Sequence, residues 1–329
     1  MPGPDNGRRV PPCARWHGTI THRGNHMSFA YTAAALFVFP AYVTCISYGI
    51  LWIVMHVYKE QYLESRSPKP FLEAMCVSWA GMYLFLFLAL RRRFRSAFHR
   101  GAPAAGAGAK QKGKGKTVVF VHGAYHDESA WDFLDPIVRG LQGTAGFRFH
   151  YSIGRKNLSA LALELDRFVR ESVRQSGLSE VVLVGHSLGG LLARYWLARH
   201  RREAEPGRSG KAGPAAADMQ VRGIITLSAP HGGMLLARLG PEPLFRGLPP
   251  CGSAVRDLEN QEKRLGPCPG IHKLALYSPL DNMVTPLSCL KRTPPDWRTE
   301  ELPGLSHLGL LWHPRALKAF RHALQSMGL

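Results

Sequence analysis

Two long stretches near the N-terminus of the chain are almost purely apolar. The segment 29–57 contains no Asp, Glu, Lys or Arg, and the segment 71–90 contains only Glu73. A helix needs about 20 apolar residues to cross a bilayer, whereas the apolar part of a signal peptide is only about 7 to 15 residues long. The pattern therefore predicts two membrane-spanning helices, at 28–58 and 71–92.

Farther along the chain, the longest apolar run, at 181–198, is interrupted by Gly-His-Ser-Leu-Gly-Gly. Its first four residues are aliphatic without alternation, as expected for a parallel strand that is covered on both faces. After the glycines, apolar residues recur at helical intervals. The run predicts a strand, a tight turn and a helix, with Ser187 on the turn.

Gly185 and Gly189 flank this serine at the G-x-S-x-G spacing, with His186 at the first x. Glycines allow a tight turn to close and leave the serine hydroxyl projecting above the edge of the sheet. An ordinary glycine-rich turn is the alternative interpretation. In the nucleophile-elbow interpretation, Ser187 is the nucleophile, and the Leu188 N–H, at the positive end of the helix, is a candidate oxyanion donor.

A serine nucleophile needs a base, and the base needs a group that orients it. Asp281 lies in a Pro- and Asn-marked turn after an apolar run, and His307 lies in a loop after Gly304. Both residues follow the serine, in the order acid, then histidine. His313 and His322 are alternative bases in the C-terminal helical pattern. Asp257 is an alternative acid, but no strand precedes it.

A predicted strand at 117–121 runs into His122 and Gly123. A glycine after a strand allows backbone N–H groups to face a ligand. We expect the Ala124 N–H to be the second oxyanion donor. The sequence contains no metal-binding spacing such as H-E-x-x-H, and no cofactor is expected.

These motifs together resemble the α/β-hydrolase lipases and esterases, especially the small bacterial triacylglycerol lipases, over residues 117–329. The segments that carry the resemblance are His122-Gly123, Gly185-His186-Ser187-Leu188-Gly189-Gly190, Ala229-Pro230-His231-Gly232-Gly233, Asp281 and Ser306-His307-Leu308-Gly309. The third segment has Ala229 where these enzymes usually have Thr. The resemblance implies a mostly parallel sheet with helices on both faces, and a Ser187-His307-Asp281 triad. It also implies an oxyanion hole from Ala124 and Leu188, and ester hydrolysis without a cofactor.

The resemblance also implies a lid that covers the substrate, at about 232–270. Apolar side chains in this region either bind an acyl chain or pack against the core; both interpretations remain open at the level of sequence. Cys251 and Cys268 fall in this Gly- and Pro-marked stretch, where a disulfide is possible.

Net charge shapes the expected membrane arrangement. The chain carries +19, and the segment 91–116 alone contains nine Lys and Arg residues against three in 58–70. Positive residues favour the cytoplasmic side, so we expect both termini there and the loop between the helices outside. The basic segment is expected to contact anionic lipid, and no nucleic-acid-binding motif accompanies the charge.

The expected organisation is a disordered tail at 1–27, the two spans joined by a loop at 59–70, a basic flexible linker at 93–116, and the hydrolase domain at 117–329. The predicted function is a membrane-anchored serine hydrolase of lipid-like esters. The expected location is the bacterial inner membrane, with the hydrolase domain facing the cytoplasm. An acyltransferase or thioesterase that uses the same triad is the alternative, and a non-catalytic scaffold is the second. The sequence does not indicate an oligomeric state.

Overall fold

A computed structural model describes residues 23–58, 69–98, 115–205 and 219–329, with side chains from residue 38 onward and, in the second range, up to 91. Residues 1–22 of the predicted tail, most of the predicted loop and most of the predicted linker lie outside the described residues. The chain divides at Pro40 into two compact units. The first contributes the beginning of the first helix, and the second contains every other element.

Helices α1 (Arg23–Val57) and α2 (Lys69–Phe98) correspond to the two predicted spans. The stretches Val38–Val57 and Lys69–Arg91 are long and apolar enough to cross a membrane, a finding of length and composition only. Both helices extend beyond the predicted limits of the spans. The apolar run predicts where lipid contact ends, whereas backbone hydrogen bonds continue through polar residues that are good helix formers, such as the arginines after residue 90. The predicted end of the tail at 27 and the predicted start of the linker at 93 remain predictions.

The second unit contains a six-stranded parallel sheet in the order β2-β1-β3-β4-β5-β6. The strands are β1 (Lys116–Val121), β2 (Thr144–Phe149), β3 (Glu180–His186), β4 (Gln220–Leu227), β5 (His272–Tyr277) and β6 (Arg298–Glu301). The remaining α-helices are α3 (Asp135–Arg139), α4 (Leu158–Ser176), α5 (Leu188–Glu203), α6 (Ser253–Leu265), α7 (Leu287–Lys291) and α8 (Pro314–Ser326).

The central strands are buried on both faces, which confirms the predicted fold class. In β3, Val181 and Leu183 belong to one core with α4 and α5, whereas Val182 and Val184 belong to another core with α3 and α8. Alternate side chains of a strand point to opposite faces of the sheet. Two helical layers therefore require apolar residues at every position of the strand, which is the pattern read from the sequence.

The region 232–270 is formed by the 3₁₀ helices Leu235–Leu239 and Pro243–Gly247, followed by α6. Leu244, Phe245 and Leu248 are at most 5% exposed and pack into the main core, whereas Leu239 is 76% exposed. Core packing therefore accounts for most of the apolar residues in the predicted lid. Cys251 and Cys268 are both free, so the disulfide that the sequence left open is not formed.

Candidate active site

Ser187 lies between β3 and α5, with φ 52° and ψ −127°. Non-glycine residues rarely adopt positive φ, and such strain is concentrated at functional sites. A Cβ atom added to Gly185 would lie 2.5 Å from the Gly190 Cα, and one added to Gly189 would lie 2.0 Å from the Val121 carbonyl oxygen. The elbow thus closes only with glycine at both positions.

Asp281 and His307 come from different loops, which follow β5 and β6. The His307 Nδ1–H donates a hydrogen bond to Asp281 Oδ2 at 2.8 Å. The other carboxylate oxygen accepts the backbone N–H groups of Met283 and Val284, each at 2.8 Å. Asp281 is 1% exposed and His307 is 6% exposed. Both carboxylate oxygens are therefore engaged, which fixes the orientation of the imidazole.

His186 connects the elbow with the loop that carries His307. The two imidazole rings lie 4.6 Å apart, and His186 Nε2–H donates to the His307 carbonyl at 3.2 Å. Ser187 is 9% exposed. Within the described part of the chain, the structure shows no hydrogen bond from the Ser187 hydroxyl to His307. In sites without substrate this bond is often long and tightens when substrate binds.

The loop after β1 faces the elbow. A Cβ atom added to Gly123 would lie 3.0 Å from the Ser187 Cβ, so the predicted oxyanion segment directly adjoins the serine. Tyr151 stabilises this loop by stacking on His122 at 4.5 Å and donating from its hydroxyl to the His122 carbonyl at 2.8 Å. Ala124 follows Gly123 in this loop, and Leu188 is the first residue of α5.

Several histidines near Ser187 and His307 have pKa values lowered by their surroundings. Burial lowers the pKa of His122, and it lowers the pKa of His186 well below 6.5, with further lowering from His307. Burial and the proximity of His307 and His122 lower the pKa of His126 to about 4.

The alternative acid and bases lie elsewhere. Asp257 is on the exposed face of α6, His322 is exposed on α8, and His313 precedes α8 and accepts the Arg315 N–H. The His231 ring forms a hydrogen bond with the Thr226 hydroxyl at 3.0 Å, and the His231 carbonyl accepts a hydrogen bond from the Arg194 guanidinium at 2.9 Å. These contacts connect His231 with β4 and α5.

Sequence reasoning missed Tyr151 and Asn282. Asn282 is 5% exposed, and its Oδ1 accepts the His307 N–H at 3.3 Å. A polar pair, Asp-Asn, within an otherwise apolar stretch was the available signal, but its partners are distant in the chain. Tyr151 follows β2, an edge strand whose polar positions weaken the strand pattern.

A cavity of 490 Å³ lies near α5 and α6, and its lining includes Arg194, Glu262, Lys273 and Arg292. None of the predicted catalytic residues lines it. Arg194 pairs with Glu262 at 2.6 Å, and Lys273 pairs with Asp296. These charges are paired with one another. Among the described residues, no group of three or more His, Cys, Asp or Glu side chains is arranged to hold a metal ion.

Comparison with solved structures finds similar folds at low identity. Lipase BlEst2 of Bacillus licheniformis in its mature form is 19% identical, with a TM-score of 0.49 over 69% of this chain and 99% of that chain. Lipase B of Aspergillus fumigatus is 17% identical, with a TM-score of 0.49 over 65% of this chain and 53% of that chain. A gene product of Listeria innocua is 14% identical, with a TM-score of 0.46 over 64% of this chain and 94% of that chain.

A search of curated proteins finds no match. The family model described as the alpha/beta hydrolase family matches residues 118–323, well over half of the chain. Its limits coincide with the region from β1 to α8, which contains the sheet, the elbow and both loops. This chain therefore belongs to the α/β hydrolase family.

Proposed function

We propose that the protein is a membrane-anchored serine hydrolase that cleaves carboxylic esters of lipid-like substrates. The observation that carries the proposal is the 2.8 Å hydrogen bond between Asp281 and His307, formed at the same edge of the sheet as the strained Ser187. All six described strands are parallel, so the loops after β1, β3, β5 and β6 meet at the edge where α/β proteins bind ligands.

In the proposed reaction, Ser187 Oγ attacks the carbonyl carbon of the ester while His307 Nε2 takes the hydroxyl proton. The N–H groups of Ala124 and Leu188 bind the oxygen that becomes negative in the tetrahedral intermediate. The ester C–O bond then breaks, and the alcohol leaves with the proton from His307. Water, deprotonated by His307, attacks the acyl-Ser187 ester and releases the carboxylic acid, and the proton returns to Ser187.

The exposed side of the helix pair supports a membrane anchor. Along 40–91, large apolar side chains more than one third exposed to solvent lie on both helices: Tyr42, Ile46, Trp52, Ile53, Val57, Leu72, Trp79, Phe87 and Leu90. Large exposed apolar side chains grouped on two helices are typical of an interaction surface, and Trp and Tyr are enriched where proteins meet the membrane interface. The excess of Lys and Arg in 91–116 supports the cytoplasmic side of the membrane for the hydrolase domain.

The proposal is tested with the full chain in detergent micelles, by labelling with a fluorophosphonate probe and by hydrolysis of p-nitrophenyl esters of short and long acyl chains. We expect labelling and hydrolysis in the native protein and neither in the Ser187→Ala variant. Asp281→Asn leaves His307 in the wrong tautomer, and we expect kcat to fall about 10⁴-fold, as in serine proteases with the same change.

Asp257→Asn is the matched control, because Asp257 is an exposed carboxylate on α6 outside the proposed triad. Its kcat should equal that of the native chain. If the probe labels the native chain and water does not hydrolyse the esters, but an added alcohol or thiol accepts the acyl group, the protein is an acyltransferase. A folded native protein that is not labelled would overturn the proposal and favour a non-catalytic scaffold.

A further inference from the structure

One side-chain amide connects both N-terminal helices with the loop of the proposed base. Asn282 Nδ2–H donates to the Ser47 hydroxyl of α1 at 2.8 Å and lies 3.5 Å from the Ser78 hydroxyl of α2. Its Oδ1 accepts the His307 N–H. All four residues are less than 9% exposed. The amide therefore spans three elements far apart in the chain, and it lies next in sequence to Asp281.

The same helices also pack against the loops that carry the acid and the base. Leu280, which precedes Asp281, is completely buried in a cluster with Tyr48, Leu51 and Ala74. The Tyr48 hydroxyl donates to the Leu280 carbonyl at 3.4 Å. The acid loop is thus in contact with both α1 and α2.

Around the His307 loop, the contacts with α2 leave no spare room. A Cβ atom added to Gly309 would lie 2.7 Å from Val77 Cγ1, and one added to Gly81 would lie 2.9 Å from Trp312 Nε1. Arg315, just beyond this loop, pairs with Glu73 at 2.7 Å. Helix α2 therefore packs against the backbone that follows the base.

A polar side chain costs free energy when it is buried without a partner, and buried hydrogen-bonded networks specify one arrangement of the groups they contain. Ser47 and Ser78 are the buried polar groups that α1 and α2 direct to Asn282. An anchor that only held the domain near lipid would need no hydroxyl at these positions. Their arrangement restricts the loop whose position determines the geometry of the His307–Asp281 pair.

We propose that Asn282 is a positioning residue of the triad and that Ser47 and Ser78 hold it in place, so that the N-terminal helix pair is part of the catalytic unit. The inference rests on the proposed function, because it assumes that His307 is the base. Asn282 does not touch the reacting atoms in this role. It acts through the backbone of His307 and through its neighbour Asp281.

The test compares Ser47→Ala with Ser172→Ala in the full chain, in detergent micelles. The two serines are a matched pair, because each is buried on a helix and donates to a carbonyl of its own helix, Ser47 to Thr44 and Ser172 to Phe168. Only in Ser47 does the hydroxyl also accept the Asn282 amide. We expect Ser47→Ala to lower kcat for a short p-nitrophenyl ester roughly tenfold, because a tenfold change in rate corresponds to the free energy of about one buried hydrogen bond. KM should stay unchanged, and Ser172→Ala should leave kcat at the native value.

A double-mutant cycle with Asn282→Ala separates positioning from stability. If Ser47 acts through Asn282, the double variant should be no slower than Asn282→Ala alone, because Asn282→Ala already removes the hydrogen bond that Ser47→Ala removes. Equal kcat in Ser47→Ala and the native chain, additive losses in the double variant, or equal losses in Ser172→Ala would each overturn the inference. Thermal melting of every variant identifies a loss of kcat that merely follows unfolding, which would also overturn it.

Fluorophosphonate labelling of the native chain separates this inference from the function on which it rests. A folded native chain that is not labelled overturns both. A labelled native chain with unchanged kcat in Ser47→Ala overturns only the role of Asn282 and the helices.

Discussion

At the scale of single residues, two buried histidines make the free energy of unfolding depend on pH. His186 and His231 are each 1% exposed, and burial lowers the pKa of both well below 6.5. The unfolded chain therefore binds protons on these groups at a pH where the folded chain does not. Folding is favoured above pH 6.5, and this contribution is lost as the pH falls from 6.5 toward the lower pKa values of the folded state.

The free energy of unfolding should therefore decrease below about pH 6.5. Each of the two histidines contributes up to about 1.4 kcal/mol per pH unit. Thermal melting between pH 7.5 and pH 5 measures the effect, and His231→Gln should reduce its slope, whereas His322→Gln, a change at an exposed position, should not. Stability that stays constant or rises as the pH falls would contradict this prediction.

At the scale of elements, the contact between α2 and the loop after β6 determines how closely the helix pair approaches the base. Gly81 lies where that helix meets Trp312 and Leu308, so a side chain there has no room. Gly49, on α1, has no atom within 4 Å of an added Cβ. The two glycines thus belong to similar apolar helices but to different surroundings, and they form a matched pair for testing the contact.

Gly81→Leu should push α2 away from the loop of His307. Overpacking of this kind costs about 1 to 3 kcal/mol, and we expect a lower melting temperature together with a lower kcat in the full chain. Gly49→Leu should leave both unchanged. Loss of kcat in both variants would point instead to an effect on the apolar helices in general, and retention in both would contradict the tight contact.

At the scale of the whole molecule, the helix pair has two different sides. One side buries Ser47, Tyr48 and Ser78 against the hydrolase loops, and the other exposes aromatic and aliphatic side chains such as Trp52 and Trp79. This division explains how two helices apolar enough to cross a membrane also contain buried polar groups. We propose that the exposed side contacts lipid while the other side holds the catalytic loops.

The charge distribution predicts which side of the membrane each part occupies. A single reactive cysteine introduced in 59–68, in a chain otherwise without reactive cysteines, should be labelled from the side opposite to a C-terminal tag. Right-side-out and inverted membrane vesicles with an impermeant thiol reagent provide the measurement, and a cysteine at the C-terminus is the control. Labelling of both sites from the same side would mean that the helices lie on the membrane surface and do not cross it.

Local pattern was sufficient for much of the fold, because the features involved are local in the chain. Uninterrupted aliphatic residues in β3 report burial on both faces, and glycines at 185 and 189 report a turn without space for side chains. The apolar run before Asp281 and the loop around His307 favoured these two residues over Asp257, which no predicted strand precedes, and over His313, which falls in the C-terminal helical pattern. Edge strands such as β6, Arg-Thr-Glu-Glu, were not predicted, since one side of an edge strand faces solvent and its sequence carries little apolar signal.

The sequence by itself determined the α/β class and the positions of two apolar helices, because both depend on the spacing of residues close together in the chain. Only the tertiary structure decided that Asp281 reaches His307, that the apolar residues of 232–270 mostly pack into the core, and that Cys251 and Cys268 stay apart. It alone brought Ser47 to Asn282, 235 residues away. Such contacts depend on how the parallel sheet orders its strands and where the helix pair packs, and no local periodicity encodes either.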